Sequence, residues 1–444
     1  MNVKRLMMAS LVLVLAIVAA ACSSGNGGSQ GNAGPNGNAN GSGSQQGSNE
    51  ETITLTLWHI FSSDADTFKP IVDAAVAKWN AENPTIQVKM EATENEAYKT
   101  KLKTAAAANE LPDIFFTWGA GFSKPFAEGG KLLALDDYLN DGTRDQLLEG
   151  SLSNLSYGGK VYGLPYTMYV GTFFVNQELF DQHGIKVPEN YDELLEAVKA
   201  FRAKGIDPIA VGGKDLWPSM FYYNALALRE GGSQLSLDAL SGNASFEDPA
   251  FVRAAEKLQE LASADAFMKG YMGITRDESE AIFITGTIPM YYNGSWVATI
   301  LESEDSAVKG KVRVMNFPIV NGGAGEANEW IGGIVDTFMV SANTQYPDES
   351  VQFLKYLTEY MSNEGYKVGA GLPTWKTTVI DESSINPLLK DVVDMTKSAT
   401  GIVPPWDVYL EGHQAEMHKN LVAELMAGKI TPEEFSAKME ALER

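Results

Sequence analysis

Apolar residues recur along this chain with two periods, and they switch at punctuated points. Ile53-Thr54-Leu55-Thr56-Leu57-Trp58 alternates and predicts a strand. Phe68, Ile71, Val72, Ala75, Val76 and Trp79 follow at helical spacing, which makes Trp79 a core residue, and Asn83-Pro84 ends that helix. Residues 86–90 predict a second strand and 95–108 a second helix. Leu111-Pro112 breaks the helix, and Asp113-Ile114-Phe115-Phe116-Thr117 gives a third strand. A β-α-β-α-β order implies a parallel sheet with right-handed crossovers. Ligands of such sheets sit beyond the carboxyl ends of the strands. Those ends carry Trp58-His59 with Ser62, Ser63 and Asp64, and Trp118-Gly119-Ala120-Gly121. The glycines are expected to let a ligand reach backbone and indole together. His59 fits a ligand contact or a satisfied structural histidine equally well.

The middle of the chain is more aromatic. Residues 161–176 read as a long strand region interrupted by Pro165 and Gly171, breakers that mark a bend or a crossing between lobes. A helix capped by Asn190 follows, with Leu194, Leu195, Val198 and Phe201 inward. Pro208-Ile209-Ala210-Val211 is a short strand, and Asp215-Leu216-Trp217-Pro218 presents an indole in a loop. Asp248-Pro249 opens another helix. Residues 286–296 run from a short apolar strand into Asn293-Gly294-Ser295-Trp296, a polar turn that delivers an aromatic. Residues 312–318 predict a strand, and residues 332–340 a further strand region with one acid inside. Asp336 needs partners there; a ligand hydroxyl or a backbone N–H would serve. Pro404-Pro405-Trp406-Asp407 presents another indole ahead of a helix, and Thr431-Pro432-Glu433-Glu434 is a capping box.

Composition narrows the chemistry. A chain of 444 residues with 44% hydrophobic side chains is enough for two or more domains. A formal charge of −23 leaves nothing to displace phosphate counterions, so nucleic acid is excluded as a partner. One cysteine rules out an internal disulfide or a Cys-rich metal site, and four histidines show no metalloprotease spacing. No metal and no cofactor is expected. Lys4-Arg5, an apolar run of about 16 residues and Ala19-Ala20-Ala21-Cys22 look like a bacterial lipoprotein signal, 1–21, with lipid on Cys22, although Ala19 stands where Leu is usual and Ala19-Ala20-Ala21 also fits an ordinary A-x-A cleavage site with Cys22 a bystander. The uncharged Gly/Ser/Asn/Gln tract over 22–50 cannot bury enough to fold and is expected to be a flexible tether.

Taken in order, Leu57-Trp58-His59, Leu111 to Trp118, Leu164-Pro165-Tyr166, Phe173-Phe174-Val175-Asn176, Gly286 to Met290 with Asn293-Gly294-Ser295-Trp296, and Gly332-Gly333 resemble the extracellular solute-binding proteins of bacterial ABC importers, family 1, the group that includes maltose-binding protein. The resemblance implies a type II periplasmic-binding-protein-like α/β fold. Two lobes, 51–167 plus 341–385 and 168–340 plus 386–444, would be joined by a multi-strand hinge crossed near 166–170, 334–340 and 381–386. It implies a sugar held between the lobes, with Trp118, Trp296 and Trp406 in stacking positions, His59 and Asp64 in the first-strand loop, Tyr169 at the hinge and Trp217 in a loop that supplies an aromatic. Gly119-Ala120-Gly121 stands where maltose-binding protein carries charged sugar contacts, which disfavours maltose. The implied partners are a membrane permease with its ATPase and, through the lipid, the outer face of the cell membrane; the protein would act as a monomer.

Carbohydrate chemistry points the same way. An indole covers the apolar C–H face of a sugar ring, while Asp336, Asn293 and His59 can satisfy its hydroxyl fringe. Indoles spread over both lobes suggest an oligosaccharide of roughly two to four units; the resemblance implies a plant-derived one, of the xylo-, arabino- or raffinose type. The rival readings are an anchored extracellular glycoside hydrolase, which needs two facing carboxylates, and a binding protein for a non-sugar solute. No carboxylate motif repeats in a barrel-like series, so catalysis is not expected.

Overall fold

The computed structural model describes residues 52–64, 66–376 and 385–442. The expected signal, the tether and Cys22 lie outside the described residues, as does most of the expected third crossing. Among the described residues no helix is long and apolar enough to cross a membrane.

Two sheets organise the chain. The first is five-stranded, in the order Ile86–Ala92, Ile53–His59, Ile114–Trp118, Asp336–Val340 and Gly163–Pro165. Its first three strands run parallel, and the fourth is antiparallel to its neighbours. The crossover helices Lys69–Glu82 and Asn95–Ala108 form where the apolar spacing predicted them. Trp79 is a core residue, its ring 5.1 Å from Phe353 of the long helix Pro347–Val368. Its indole N–H donates to the Ile86 carbonyl at 2.9 Å, so the one polar atom of a buried ring is satisfied.

The second sheet is six-stranded and mixed. Its path is Gly401–Val403, Glu329–Gly333, Tyr169–Asn176, Met290–Gly294 and Ile209–Ala210, with Val312–Met315 also on Tyr169–Asn176. Tyr169–Asn176 is buried at every position, as a central strand covered on both faces must be. The helix predicted after Asn190 spans Tyr191–Ala203, and the Asn190 side chain accepts from Glu193 N at 3.0 Å. Thr431 and Glu434 form the expected reciprocal cap.

One expectation needs correction. Residues 332–340 are two strands in different sheets, with Gly332 and Gly333 at φ +146° and +118° turning the chain between them. The boundary expected after 340 therefore falls before Asp336. Residues 161–176 likewise divide, Gly163–Pro165 belonging to the first sheet and Tyr169–Asn176 to the second. Between those two strands Met168 exchanges both backbone hydrogen bonds with Leu372, each 2.9 Å, which ties the first crossing to the segment that leaves helix Pro347–Val368.

Candidate functional site

A cavity opens between the carboxyl ends of the first sheet and the near edge of the second. It leaves about 850 Å³ free of protein atoms, counting the part that opens to solvent. Trp118 is the last residue of its strand, and Asp336, paired opposite it, is the first of the next. From the second sheet come Tyr169, the first residue of its strand, and Trp296, in the turn after Met290–Gly294. A Cβ at Gly294 would overlap the Trp296 ring, so glycine lets the indole fold back over its own strand. Trp217 is placed by Leu216, whose φ of +63° is uncommon for a non-glycine residue and turns the chain sharply into helix Trp217–Leu240.

The indoles form two walls. Trp296 meets Tyr169 edge-on at 4.8 Å and lies 6.2 Å from Trp217. Trp118 packs edge-on to Phe116 at 4.8 Å, with the Lys99 ammonium 5.1 Å from its ring centre. Five of the residues expected to bind ligand thus share one cavity: Trp118, Tyr169, Trp217, Trp296 and Asp336.

The other four do not line it. Asp64 borders a neighbouring apolar groove with Ile71, Ile300 and Tyr360. His59 is buried; its Nδ1 accepts from Phe61 N at 3.2 Å, and burial pushes it down to about 4, so it is a neutral residue that orders the turn after the first strand. Asn293 is fully buried, donating to the Tyr291 hydroxyl at 2.5 Å and accepting from Gly294 N. Trp406, expected to stack on sugar, is core. It lies 5.4 Å from Tyr223, 5.6 Å from Phe251 and 5.2 Å from His418, under the helices of the second lobe. Its neighbour Asp407 lines the cavity instead. The glycines after Trp118 also serve packing. A Cβ at Gly119 would press on the Asn154 carbonyl, and one at Gly121 would overlap the Tyr409 carbonyl.

Charge in the cavity escaped sequence reasoning, because ion partners far apart in the chain leave no periodic signal. Arg276, at the start of helix Arg276–Phe283, pairs with Glu280 at 3.0 Å, Asp277 at 2.7 Å and, from the first-sheet side, Asp66 at 3.1 Å. Burial opposes charge on this guanidinium, but Glu280, Asp277 and Asp66 outweigh it and hold the group protonated. Burial pushes Glu280 up to about 7 and Asp336 up to about 7. Asp336 is opposed only by a hydrogen bond from Tyr166 and the charge of Lys99, and its Oδ1 has no protein partner. Burial also raises Asp407, against Lys99 and Lys419. A second pair between the two lobes, Lys124 with Glu411 at 2.6 Å, lies at the exposed rim. Among the described residues no cluster could hold a metal ion.

An aromatic cavity edged with unpaired carboxyl oxygen, between two α/β lobes, is the geometry of a small-solute receptor. Residues 62–363 match the family described as bacterial extracellular solute-binding protein. The chain belongs to that family. This solute-binding protein resembles a solved structure from work on xylan utilization by the thermophilic bacterium Caldanaerobius polysaccharolyticus. The two are 49% identical with a TM-score of 0.85, over 87% of this chain and 99% of that one. It also resembles a chitin oligosaccharide binding protein, at 29% identity and a TM-score of 0.80, over 88% of this chain and 97% of that one. The multiple sugar-binding protein of Streptococcus mutans is 25% identical over 343 residues, 72% of this chain and 77% of that one. The type II two-lobed fold expected from the sequence is the one found.

Proposed function

We propose that this solute-binding protein captures xylan-derived oligosaccharides for an ABC importer. The observation that carries the reading is one cavity lined by Trp118 from the first lobe and Trp217 and Trp296 from the second, with the Asp336 carboxyl beside Trp118. A β-1,4-linked pentose chain has two flat C–H faces and equatorial hydroxyls, and walls of indole with carboxyl edges complement both. Burying roughly 60–80 Å² per ring at ~25 cal/mol/Å² gives about 1.5–2 kcal/mol as an upper figure, so a few rings with hydrogen bonds reach micromolar affinity. The 49% identity to a protein studied for xylan use supports this sugar class over others.

The lobes close over the sugar about the paired segments at Met168 and Leu372, and the closed form docks on a permease driven by an ATPase. Lipid on Cys22 and the tether behind it hold the monomeric protein at the outer face of the membrane. The ligand contacts are Trp118, Tyr169, Trp217, Trp296 and Asp336, with Asp407 added.

Calorimetry with xylobiose to xylotetraose, beside raffinose and chitotriose, tests the assignment. The expected result is micromolar or tighter binding of the xylo-oligosaccharides. No heat with any of them would sink it. Xylotriose recovered intact after incubation, measured by reducing ends, separates binding from hydrolysis.

A further inference from the structure

The cavity holds cations, but each is already occupied. Arg276 faces three carboxylates, those of Asp66, Asp277 and Glu280, so its forked donors are shared among more negative charge than it carries. Lys99 gives its ammonium to Glu96 at 2.7 Å, and Lys419 bonds Glu416 at 3.0 Å and approaches Glu96 at 3.9 Å. With Lys103 of the adjoining side pocket, three lysines face three carboxylates, Glu96, Glu416 and Asp407, so this corner is balanced and has no cation to spare. Among the described residues Asp336 has no cation in contact and one oxygen without a partner. Lys103 sits off the cavity, in a side pocket behind Trp118 that Asp407 and Glu416 also border.

The mouth continues the imbalance. The groove that shares Asp66, Trp217 and Arg276 with the cavity is edged by Glu94, Asp215 and Asp277 against Lys214 alone. Burial raises Asp215 as well, with Glu96 and Glu94 adding to the effect and Arg276 opposing it.

We infer that this cavity selects uncharged oligosaccharides and rejects chains that carry a uronate carboxylate, whether the acid lies inside the cavity or in the groove at its mouth. The inference rests on the sugar-binding reading above and narrows its substrate class. Inside the cavity both lining cations, Lys99 and Arg276, already have carboxylate partners, and at the mouth Lys214 stands among Glu94, Asp215 and Asp277. A ligand carboxylate must enter beside Asp336, Asp407 or Asp66, or out along Asp215 and Glu94, and like charges at such range in a partly dry site are strongly unfavourable. A neutral sugar hydroxyl meets the same acids as hydrogen-bond acceptors.

The test compares matched pairs on the intact protein by calorimetry at pH 8.5, where Asp336 is ionised. Xylotriose, cellotriose, chitotriose and maltotriose are each set against a counterpart bearing one uronic acid unit, so the preference is read on whichever sugar binds. The expected result is that the acidic member binds about 100-fold more weakly or worse. In D336N and D407N the neutral-to-acidic ratio is expected to narrow by about tenfold, whatever happens to neutral affinity itself. Acidic and neutral members within about threefold of one another, or an acidic member that binds tighter, overturns the inference. Silence from xylotriose with binding of another neutral sugar sinks only the xylan assignment. Silence from every sugar overturns both.

Discussion

Asp336 stands directly opposite Trp118 in the antiparallel ladder that joins their strands, and both side chains border the same cavity. Directly opposed positions point to the same face of a sheet. An apolar ring and a carboxyl are therefore delivered side by side by the backbone itself. That pairing matches a sugar, whose flat C–H face lies next to its hydroxyls.

The indoles should separate by what they touch. Trp296→Ala, at a half-buried ring, is expected to weaken oligosaccharide binding about 10–100-fold while the empty protein melts within roughly 3 °C of the parent, whereas Trp118→Ala and Trp217→Ala, at buried rings that also line the cavity, are expected to lose binding and some stability together. Trp406→Ala empties a core position and is expected to cost about 3–5 kcal/mol of stability. Calorimetry and thermal melting of the same four variants check this. A Trp406 variant that folds normally and loses only binding would return that ring to the site.

Asp336 makes stability depend on pH in a stated direction. Burial holds its carboxyl near 7, against 3.8 ordinarily. Between those values the folded chain keeps a proton that the unfolded chain has released. The penalty is therefore absent below about 4, grows as pH rises and is complete above about 7. His59 and His418, pushed down to about 4 and about 3, act oppositely as pH falls below 6.5. The difference between parent and variant isolates the aspartate. Asp336→Asn is expected to raise the melting temperature of the empty protein at pH 8 by roughly 1–2 °C and to leave it unchanged at pH 4. Equal shifts at both values would contradict the assignment.

Gly121 should act on closure. Its missing Cβ admits the Tyr409 carbonyl of the other lobe. Gly121→Ala is expected to speed sugar dissociation about tenfold or more with little change in association, as a closed state that fits less well requires. Stopped-flow Trp fluorescence reads both rates. An unchanged melting temperature of the empty protein is the result a contact made on closure requires; a lowered value would assign Gly121 to the static fold.

Two of the ion pairs between the lobes should differ sharply. Lys124 and Glu411 are 46% and 41% exposed, and such pairs contribute about 0–1 kcal/mol, so Lys124→Ala should alter affinity by under about fivefold. Asp66 and Arg276 are 16% and 17% exposed, and Arg276 also holds Glu280. Arg276→Ala leaves buried carboxylates without their cation and is expected to destabilise the protein by about 3–5 kcal/mol. Denaturant melts of both variants decide it.

The fold was legible because its strands and helices obey their own periods. Ile53–His59, Lys69–Glu82 and the caps at Asn190 and Thr431 stand where the pattern put them. Strand ends also pointed to Trp118 and Trp296. Trp406 could not be sorted by pattern, because an indole before a helix looks alike whether it turns to the cavity or to Tyr223 and Phe251. Nor could Arg276 with Asp66, 210 residues apart and paired only by the tertiary fold. The glycines at 119 and 121 carried a real signal, close approach, but what approaches is the protein's own backbone.

The strand Asp336–Val340 lies between Ile114–Trp118 and Gly163–Pro165, in the interior of the first sheet. A nascent chain therefore cannot finish its first lobe until residue 340 has left the ribosome, by which time nearly all the second sheet has been made. Until then the Ile114–Trp118 edge stays open to wrong partners. Closing of the first sheet is accordingly a late event in the making of this chain.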